Sequence, residues 1–189
     1  MALFAFLLGG SFLLGSTGYF LLWMITPEGS VFGALYRMFL YHWAHPLQYI
    51  GLISLCYSVV ATVVILPSSN PVGKWPRLVF PLIALLSIAL ASPAGGVLWV
   101  IHDMQAGYFP EGSRFWEAIR WGAVEGMTTG WLVILLSLPY NILGIVVGYQ
   151  LTLMGHRMTL RSPPISPQSG PLQTLTQAGT KLPDKRLSE

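Results

Sequence analysis

Three of the four histidines lie where they could bind a metal or a haem together. His42 and His45 precede the second long apolar stretch of the chain, and His102 ends the third. Two carboxylates accompany them, because Asp103 follows His102 and Glu125 precedes the fourth apolar stretch. Imidazole and carboxylate groups bind zinc, copper or non-haem iron, and two histidines from different helices bind haem. The sequence therefore offers these five residues as candidate ligands, with haem or a transition metal as the candidate cofactor.

The same histidines have an interpretation that needs no ligand. Histidine at the edge of an apolar segment is an amphipathic anchor with a polar tip. His45 precedes Pro46, which disfavours helical backbone at His45, so His42 and His45 need not share a helix face. His102 and Asp103 are neighbours in the chain and point in different directions on a helix. A metal site and a set of anchors both remain open at this point.

A second set of polar residues falls inside the apolar stretches. Ser54, Tyr57 and Ser58 are spaced i, i+3 and i+4, so they share one face of a helix. Such side chains hydrogen-bond across packed helices, and this is the role we favour. Alternatively they line a polar cavity, which a transporter or channel for a neutral solute requires. The fourth stretch repeats the pattern with Ser137, Tyr140 and Asn141.

The elements that must position these groups are four long apolar stretches. Hydrophobic residues make up 53% of the 189-residue chain and charged residues only 9%, against about 25% charged residues in soluble proteins. A bilayer core about 30 Å thick needs about 20 helical residues, and continuous hydrophobicity favours helices over barrel strands. We predict an all-α membrane protein with four transmembrane helices, none of which contains Asp, Glu, Lys or Arg: Ala2–Ile25, Pro46–Leu66, Leu78–Ile101 and Met127–Met154.

Basic residues divide unequally between the two sides of this arrangement. Four spans place both termini and the 67–77 loop on one side, which carries seven of the ten Lys and Arg residues. The positive-inside rule then predicts cytoplasmic termini, in a cell membrane or an inner membrane. His156, beside Arg157, is predicted to be an anchor on the same side. The net charge of +3 is spread over loops and tail, so we expect no nucleic-acid partner.

The chain also resembles itself. Pro27–Ser30 recurs as Pro110–Ser113 at an offset of 83 residues, and from Pro27 to Val64 there are twelve identities in thirty-eight ungapped positions. Upstream, the match continues at an offset of 76, where Trp23 falls on Trp99. We interpret this as a duplicated helical hairpin, giving a four-helix bundle of two hairpins inserted in the same sense.

The repeated motif is predicted to build short interfacial helices on the outer face. Ser30 and Ser113 are good N-cap residues, and the segments that follow, Val31–Ala44 and Arg114–Glu125, are rich in aromatic residues suited to a membrane interface. Ion pairs would fix these helices, in a structural rather than a catalytic role. The charged residues of the motif are Glu28, Arg37, Glu111 and Arg120.

These observations divide the chain into a first hairpin (1–66), a cytoplasmic loop (67–77), a second hairpin (78–161) and a disordered cytoplasmic tail (162–189), which is rich in Ser, Pro, Gln and Thr. No nucleophile, phosphate-binding or dinucleotide-binding motif is present, so an enzyme is not the favoured interpretation. We expect a non-enzymatic accessory or scaffold subunit whose partners are the lipid bilayer and other membrane subunits or itself. The alternatives are a redox or metal-binding protein and a small transporter or channel.

Overall fold

A computed structural model of the chain describes residues 1–26, 45–67, 75–108, 114–137 and 140–161. The regular structure of these residues is helical throughout, with no strand among them, as predicted. The two hairpin repeats, the loop and the tail stay predictions, since 27–44, 68–74, 109–113, 138–139 and 162–189 lie outside the described residues. The helices are α1 (Ala2–Ile25), α2 (Pro46–Ile65), α3 (Trp75–Gln105), α4 (Phe115–Glu125), α5 (Trp131–Leu136) and α6 (Tyr140–Arg161), and the π-helical turn Gly126–Gly130 joins α4 to α5.

Three helices are long and apolar enough to cross a membrane. They are α1, α2 and the Val79–Gln105 part of α3, with mean hydropathies of 1.5, 1.9 and 1.9. The first two agree with their predicted bounds to within one residue, and α3 extends past both predicted ends. Large apolar side chains such as Leu13, Val63 and Leu85 are exposed on these helices, so the protein interior does not account for their hydrophobicity.

The predicted fourth span, Met127–Met154, is not one straight helix. Phe115–Leu136 and Tyr140–Leu160 are bent by 91° with respect to each other, and only together do they pass as a fourth span. In a continuous helix the amide of residue 139 would donate to the carbonyl of Leu135, but proline has no amide hydrogen. The side chain of Asn141 takes over this bond, because its Nδ2 donates to the Leu135 carbonyl at 2.5 Å.

The helices pack side by side around a shared interior. Helix α1 lies along α2 and α6, whereas α3 lies along α2 and along α4 with its π-helical turn. One buried cluster joins Leu7, Ile65 and Leu151, and a second joins Tyr19, Ile50 and Tyr140. The two parts of the bent helix therefore pack on different neighbours, α4 on α3 and α6 on α1.

Glycines bring the π-helical turn against α3. A Cβ added at Gly96 would overlap the carbonyl oxygen of Gly122, and one at Gly126 would overlap the carbonyl oxygen of Ser92. Glycine is therefore required at both positions for the two backbones to come this close. This contact fixes Glu125, which precedes Gly126, and Thr129, which follows it by three residues, beside α3.

Much of the repeated motif lies outside the described residues. Glu28, Ser30, Arg37 and His42 belong to 27–44, and Glu111 and Ser113 belong to 109–113, so their predicted caps and ion pairs stay predictions. Helix α4 begins within one residue of the predicted Arg114 start, but it continues into the π-helical turn and α5 instead of ending as a separate short helix. Arg120 is exposed on α4.

Candidate functional site

The candidate histidine site forms where α2 begins and α3 ends. His45 precedes Pro46 with a backbone of φ −130° and ψ 46°, outside the helix as its position before proline predicts. His102 belongs to the last turn of α3, and its side chain is only 5% exposed. The two imidazole rings are stacked, with centroids 4.3 Å apart and planes 29° from parallel. The structure therefore brings together two of the predicted ligands.

Hydrogen bonds to His102 define what this pair can do. Its Nε2 lies 2.6 Å from Oε1 of Gln48, and its Nδ1 lies 3.4 Å from the hydroxyl of Tyr49. Because an amide oxygen only accepts, Nε2 carries the proton, and Nδ1 is then the acceptor for the Tyr49 hydroxyl. A metal binds imidazole through an unprotonated nitrogen, and in this arrangement that nitrogen already accepts a hydrogen bond. The observed geometry suits a histidine with a structural role.

The remaining predicted ligands are less closely connected to this pair. Glu125 lines a cavity described below, and Asp103 is half-buried in the turn after His102. Among the residues that the structure describes, no three His, Cys, Asp or Glu side chains form a group able to hold a metal ion. Because His42 lies outside those residues, the five-residue site stays a prediction. His156, predicted as an anchor on the cytoplasmic side, is fully buried.

The polar residues predicted to share helix faces, Ser54, Tyr57 and Ser58 with Ser137, Tyr140 and Asn141, are here called the polar stripe. Its two tyrosines connect helices. The Tyr57 hydroxyl donates to the Gly148 carbonyl at 2.9 Å and lies 2.9 Å from Oγ1 of Thr152. The Tyr140 hydroxyl donates to the carbonyl of Gly15 at 3.1 Å. These bonds tie α2 to α6 and α6 to α1, which is the cross-helix role that the sequence favours.

The serines of the stripe bond within their own helices. Ser58 Oγ donates to the Ser54 carbonyl at 2.6 Å, and Ser137 Oγ donates to the Val133 carbonyl at 2.6 Å. Both are contacts with the residue four positions earlier, a pattern that satisfies a buried hydroxyl without a second helix. Ser58 and Ser137 therefore need no ligand and no neighbouring helix.

The stripe also lines a cavity of about 180 Å³, here called the tyrosine cavity. Helices α1, α2, α3, α5 and α6 all contribute to its wall, which is mainly apolar. Its polar lining comes from both halves of the chain: Ser11, Ser54, Tyr57, Ser87, Tyr140 and Asn141. Residues that make cross-helix hydrogen bonds therefore also line a cavity, whereas the polar cavity considered from the sequence stays a prediction.

One polar atom of the tyrosine cavity lining has no partner in the described part of the chain. Asn141 donates through Nδ2 to Leu135, which fixes the amide's orientation, and its Oδ1 is buried without a hydrogen bond. A buried acceptor without a donor is costly, so it calls for a water or a ligand. The break in the fourth predicted span thus places an open acceptor at the cavity.

A second cavity of about 210 Å³, here called the tryptophan cavity, lies between α2, α3 and the π-helical turn. Trp99, Tyr49 and Glu125 are among its lining residues, and Tyr49 also contacts His102. Ile53 and Ile134 line both cavities. The two cavities therefore adjoin at this isoleucine pair.

Sequence reasoning missed several of these residues although signals were present. Ser11 and Ser87 are paired by the 76-residue offset, and both line the tyrosine cavity. The same offset pairs Trp23 with Trp99, but only Trp99 lines a described cavity. Glu125 was singled out as a metal ligand, whereas the structure places it on the wall of the tryptophan cavity.

Comparison of the chain with protein-family models, with curated proteins and with solved structures returned no match.

Proposed function

We propose that this chain is a non-enzymatic, multi-pass integral membrane protein that takes up a small neutral solute in the tyrosine cavity, as a transporter or channel. The observation that carries the proposal is that polar residues from both halves of the sequence line one cavity between the helices. Asn141 adds an acceptor with no hydrogen-bond partner among the described residues. Side chains that served only as packing would leave neither the space nor the open acceptor.

A bilayer location is supported by the exposed surface. Helices α1, α2, α3 and the bent pair are apolar enough for four crossings. Exposed aromatic residues gather around the end of α3 and the start of α4, where Tyr108 and Trp116 are each 77% exposed. Aromatic residues of this kind are enriched at membrane interfaces. With four crossings both termini lie on one side, and the distribution of Lys and Arg assigns that side to the cytoplasm.

The solute's chemistry follows from the cavity wall. No Asp, Glu, Lys, Arg or His is among the described residues that line the tyrosine cavity, so a charged solute would find no counter-charge there. A cavity of about 150 Å³ with an apolar lining holds benzene, and the tyrosine cavity is slightly larger at about 180 Å³. The expected ligand is therefore small and mainly apolar, with a hydrogen-bond donor for Asn141 Oδ1.

Binding is tested with phenol and toluene, which have the same number of heavy atoms but differ in one hydroxyl. In lipid nanodiscs we expect phenol to raise the thermal unfolding midpoint at lower concentrations than toluene does. Asn141→Leu should remove the preference for phenol, because the acceptor is lost. Equal effects of the two compounds on the native protein would refute a donor-selective cavity.

A matched pair of glycine variants separates the cavity from the lipid-facing surface. A Cβ at Gly144, which lines the tyrosine cavity, or at Gly9, which is exposed on α1, would meet no atom within 4 Å. Both positions should therefore accept a larger side chain. Gly144→Phe should abolish the phenol effect by filling the cavity, and Gly9→Phe should preserve it.

Transport itself is measured as solute flux. Vesicles that contain the purified protein should swell faster in butyramide, a small solute with an apolar chain and N–H donors, than protein-free vesicles, as followed by stopped-flow light scattering. Gly144→Phe should return the rate toward that of the protein-free vesicles, while Gly9→Phe should not. A rate that is insensitive to the filled cavity would exclude the tyrosine cavity as the path.

A further inference from the structure

The tryptophan cavity carries a single carboxylate, that of Glu125. Glu125 is half-buried, and its Oε1 lies 3.3 Å from the hydroxyl oxygen of Thr129. The described residues that line this cavity include no Lys, Arg or His. A carboxylate removed from bulk water is stabilised by a counter-charge. A ligand that brings a cation therefore gains more from this wall than a neutral one.

Two fixed aromatic side chains share the wall with this carboxylate. The Trp99 ring packs against Trp121, with centroids 5.4 Å apart and planes at 49°. Tyr49 is buried and contacts His102 through its ring and its hydroxyl. Indole and phenol rings attract cations through their faces, and tryptophan does so most strongly. The wall thus combines a negative charge with surfaces that favour a soft organic cation over a hydrated metal ion.

The tryptophan cavity has space for such a cation because α3 carries glycine where it lines the cavity. A Cβ at Gly95 would meet no atom within 4 Å. In the alignment at an offset of 76, Gly95 and Gly96 stand opposite Tyr19 and Phe20, and Tyr19 is buried in the packing of the first half. The second half therefore lacks two aromatic rings where the first half has them. The resulting volume of about 210 Å³ suits a group of choline size.

The π-helical turn sets the positions of the polar groups. The hydroxyls of Thr128 and Thr129 donate to the Glu125 carbonyl at 3.0 and 2.9 Å. Glu125 precedes this turn directly, and Gly126, Thr129 and Gly130 within it line the cavity. Isolated π-helical turns occur frequently at functional sites. The π-helical turn therefore begins directly after the residue that supplies the carboxylate, Glu125.

We propose that the tryptophan cavity binds an organic ammonium ion, from a protonated amine to a quaternary ammonium group of choline size. Glu125 supplies the counter-charge, Trp99 and Tyr49 supply the aromatic surfaces, and Gly95 supplies the space. The cation comes either from a free amine or from the choline headgroup of a lipid, because both present the same chemistry. The site is separate from the tyrosine cavity and does not depend on transport of a neutral solute.

The test compares choline with 3,3-dimethylbutan-1-ol, its uncharged carbon analogue. The full-length protein is placed in nanodiscs of phosphatidylglycerol, which has no choline, and its thermal unfolding midpoint is followed during each titration. Choline should raise the midpoint saturably, with a half-maximal concentration about tenfold below that of the analogue, because only choline is charged. Equal potency, or no saturable effect of choline, would overturn the proposal.

Variants assign the effect to the cavity. Glu125→Gln keeps the size of the side chain and removes its charge, so the potency of choline should fall about tenfold while that of the analogue stays unchanged. Gly95→Phe should abolish both effects by filling the cavity. Gly9→Phe and Gly144→Phe should bind choline as the native protein does. Unchanged choline binding in Glu125→Gln or in Gly95→Phe would overturn the assignment.

The source of the cation is decided by repeating the titration in phosphatidylcholine nanodiscs. If a lipid headgroup occupies the cavity, free choline should lose potency there, and Glu125→Gln should lower the unfolding midpoint in these discs more than in phosphatidylglycerol. If the ligand is a free amine, the choline titration should be the same in both lipids. Failure of the phenol experiment leaves these outcomes unaffected, because that experiment concerns a different cavity.

Discussion

At the scale of single residues, the buried hydroxyl of Tyr57 carries two connections at once. Its one proton goes to the Gly148 carbonyl, so the hydroxyl of Thr152 must donate to the same oxygen. Both partners belong to α6, whose own start at Tyr140 is tied to α1. The hydroxyls of two tyrosines therefore fix α6 relative to both α2 and α1.

Replacing Tyr57 by Phe should destabilise the fold without changing its shape. Hydrogen bonds between packed apolar helices contribute about 1 kcal/mol, and this variant leaves the Thr152 hydroxyl without its partner. The free energy of unfolding, measured by titration with a denaturing detergent, should fall by about 1 kcal/mol or somewhat more. Tyr108→Phe is the control, because Tyr108 is 77% exposed and its loss should cost little. Equal stability of the two variants would contradict this role for Tyr57.

His102 is predicted to act through hydrogen bonds and not through a metal. His102→Phe loses the contacts with Gln48 and Tyr49, so its thermal unfolding midpoint should fall. Added chelator should leave the midpoint of the native protein unchanged, because Nδ1 already accepts from Tyr49 in the observed geometry. A chelator-induced loss of stability that is absent in His102→Phe would restore the metal interpretation.

The sequence predicted part of what these individual residues do. The shared face of Ser54, Tyr57 and Ser58 follows from helical spacing, and the Tyr57 hydroxyl makes a cross-helix hydrogen bond of the kind that the sequence favours. Spacing cannot tell which hydroxyl satisfies itself on its own helix, as Ser58 does, and which reaches another helix, as Tyr57 does. That choice depends on the distance to the neighbouring helix, which is a tertiary property.

At the scale of helices, the internal prolines differ in whether they interrupt a helix, and the sequence alone does not predict which of them does. Proline inside a helix removes a backbone hydrogen bond and predicts a kink or a break, yet α3 continues through Pro81 and Pro93. Only Pro139 coincides with an interruption, between the end of α5 and the start of α6. Cys56 stands opposite Pro139 in the repeat alignment, and α2 continues through it. Proline is therefore a local signal whose consequence differs from one helix to the next.

The substitution Pro139→Ala should straighten the bent pair, because alanine at position 139 has a backbone N–H that can donate to the Leu135 carbonyl and proline has none. Spin labels at Leu132 and Ile145, both exposed, would report the change as a longer distance in electron double resonance. Cys56 would be replaced by Ala in both samples so that only the introduced cysteines carry labels. An unchanged distance would mean that neighbouring helices, and not the proline, maintain the bend.

At the scale of the whole molecule, the duplicated hairpin and its orientation are still to be measured. The motif residues at 27–44 and 109–113 lie outside the described residues, so the equivalence of the two halves remains a sequence-based prediction. The packing is compatible with it, since α2 lies against both α1 and α3, while α1 lies along α6 and α3 lies mainly along α4. The accessory-subunit interpretation also stays a prediction.

Topology is tested by labelling single cysteines in intact cells, in a background where Cys56 is replaced by Ala. Four crossings with cytoplasmic termini predict that a membrane-impermeant maleimide reaches Tyr108→Cys from outside. It should reach Ser188→Cys only after the membrane is permeabilised. The reverse pattern would invert the orientation, and labelling of both positions in intact cells would exclude the single crossing that the four-span arrangement places between them.

The amide of Asn141 gives the bent helix a link to whatever enters the tyrosine cavity. Its nitrogen bridges the interruption to Leu135, while its oxygen is the open acceptor of the cavity. Solute binding in the tyrosine cavity and the bend between α5 and α6 are then thermodynamically coupled, and such coupling is reciprocal. A solute that prefers the bent form must itself favour bending, so Pro139→Ala should weaken phenol binding in proportion to the fraction of the protein that it straightens.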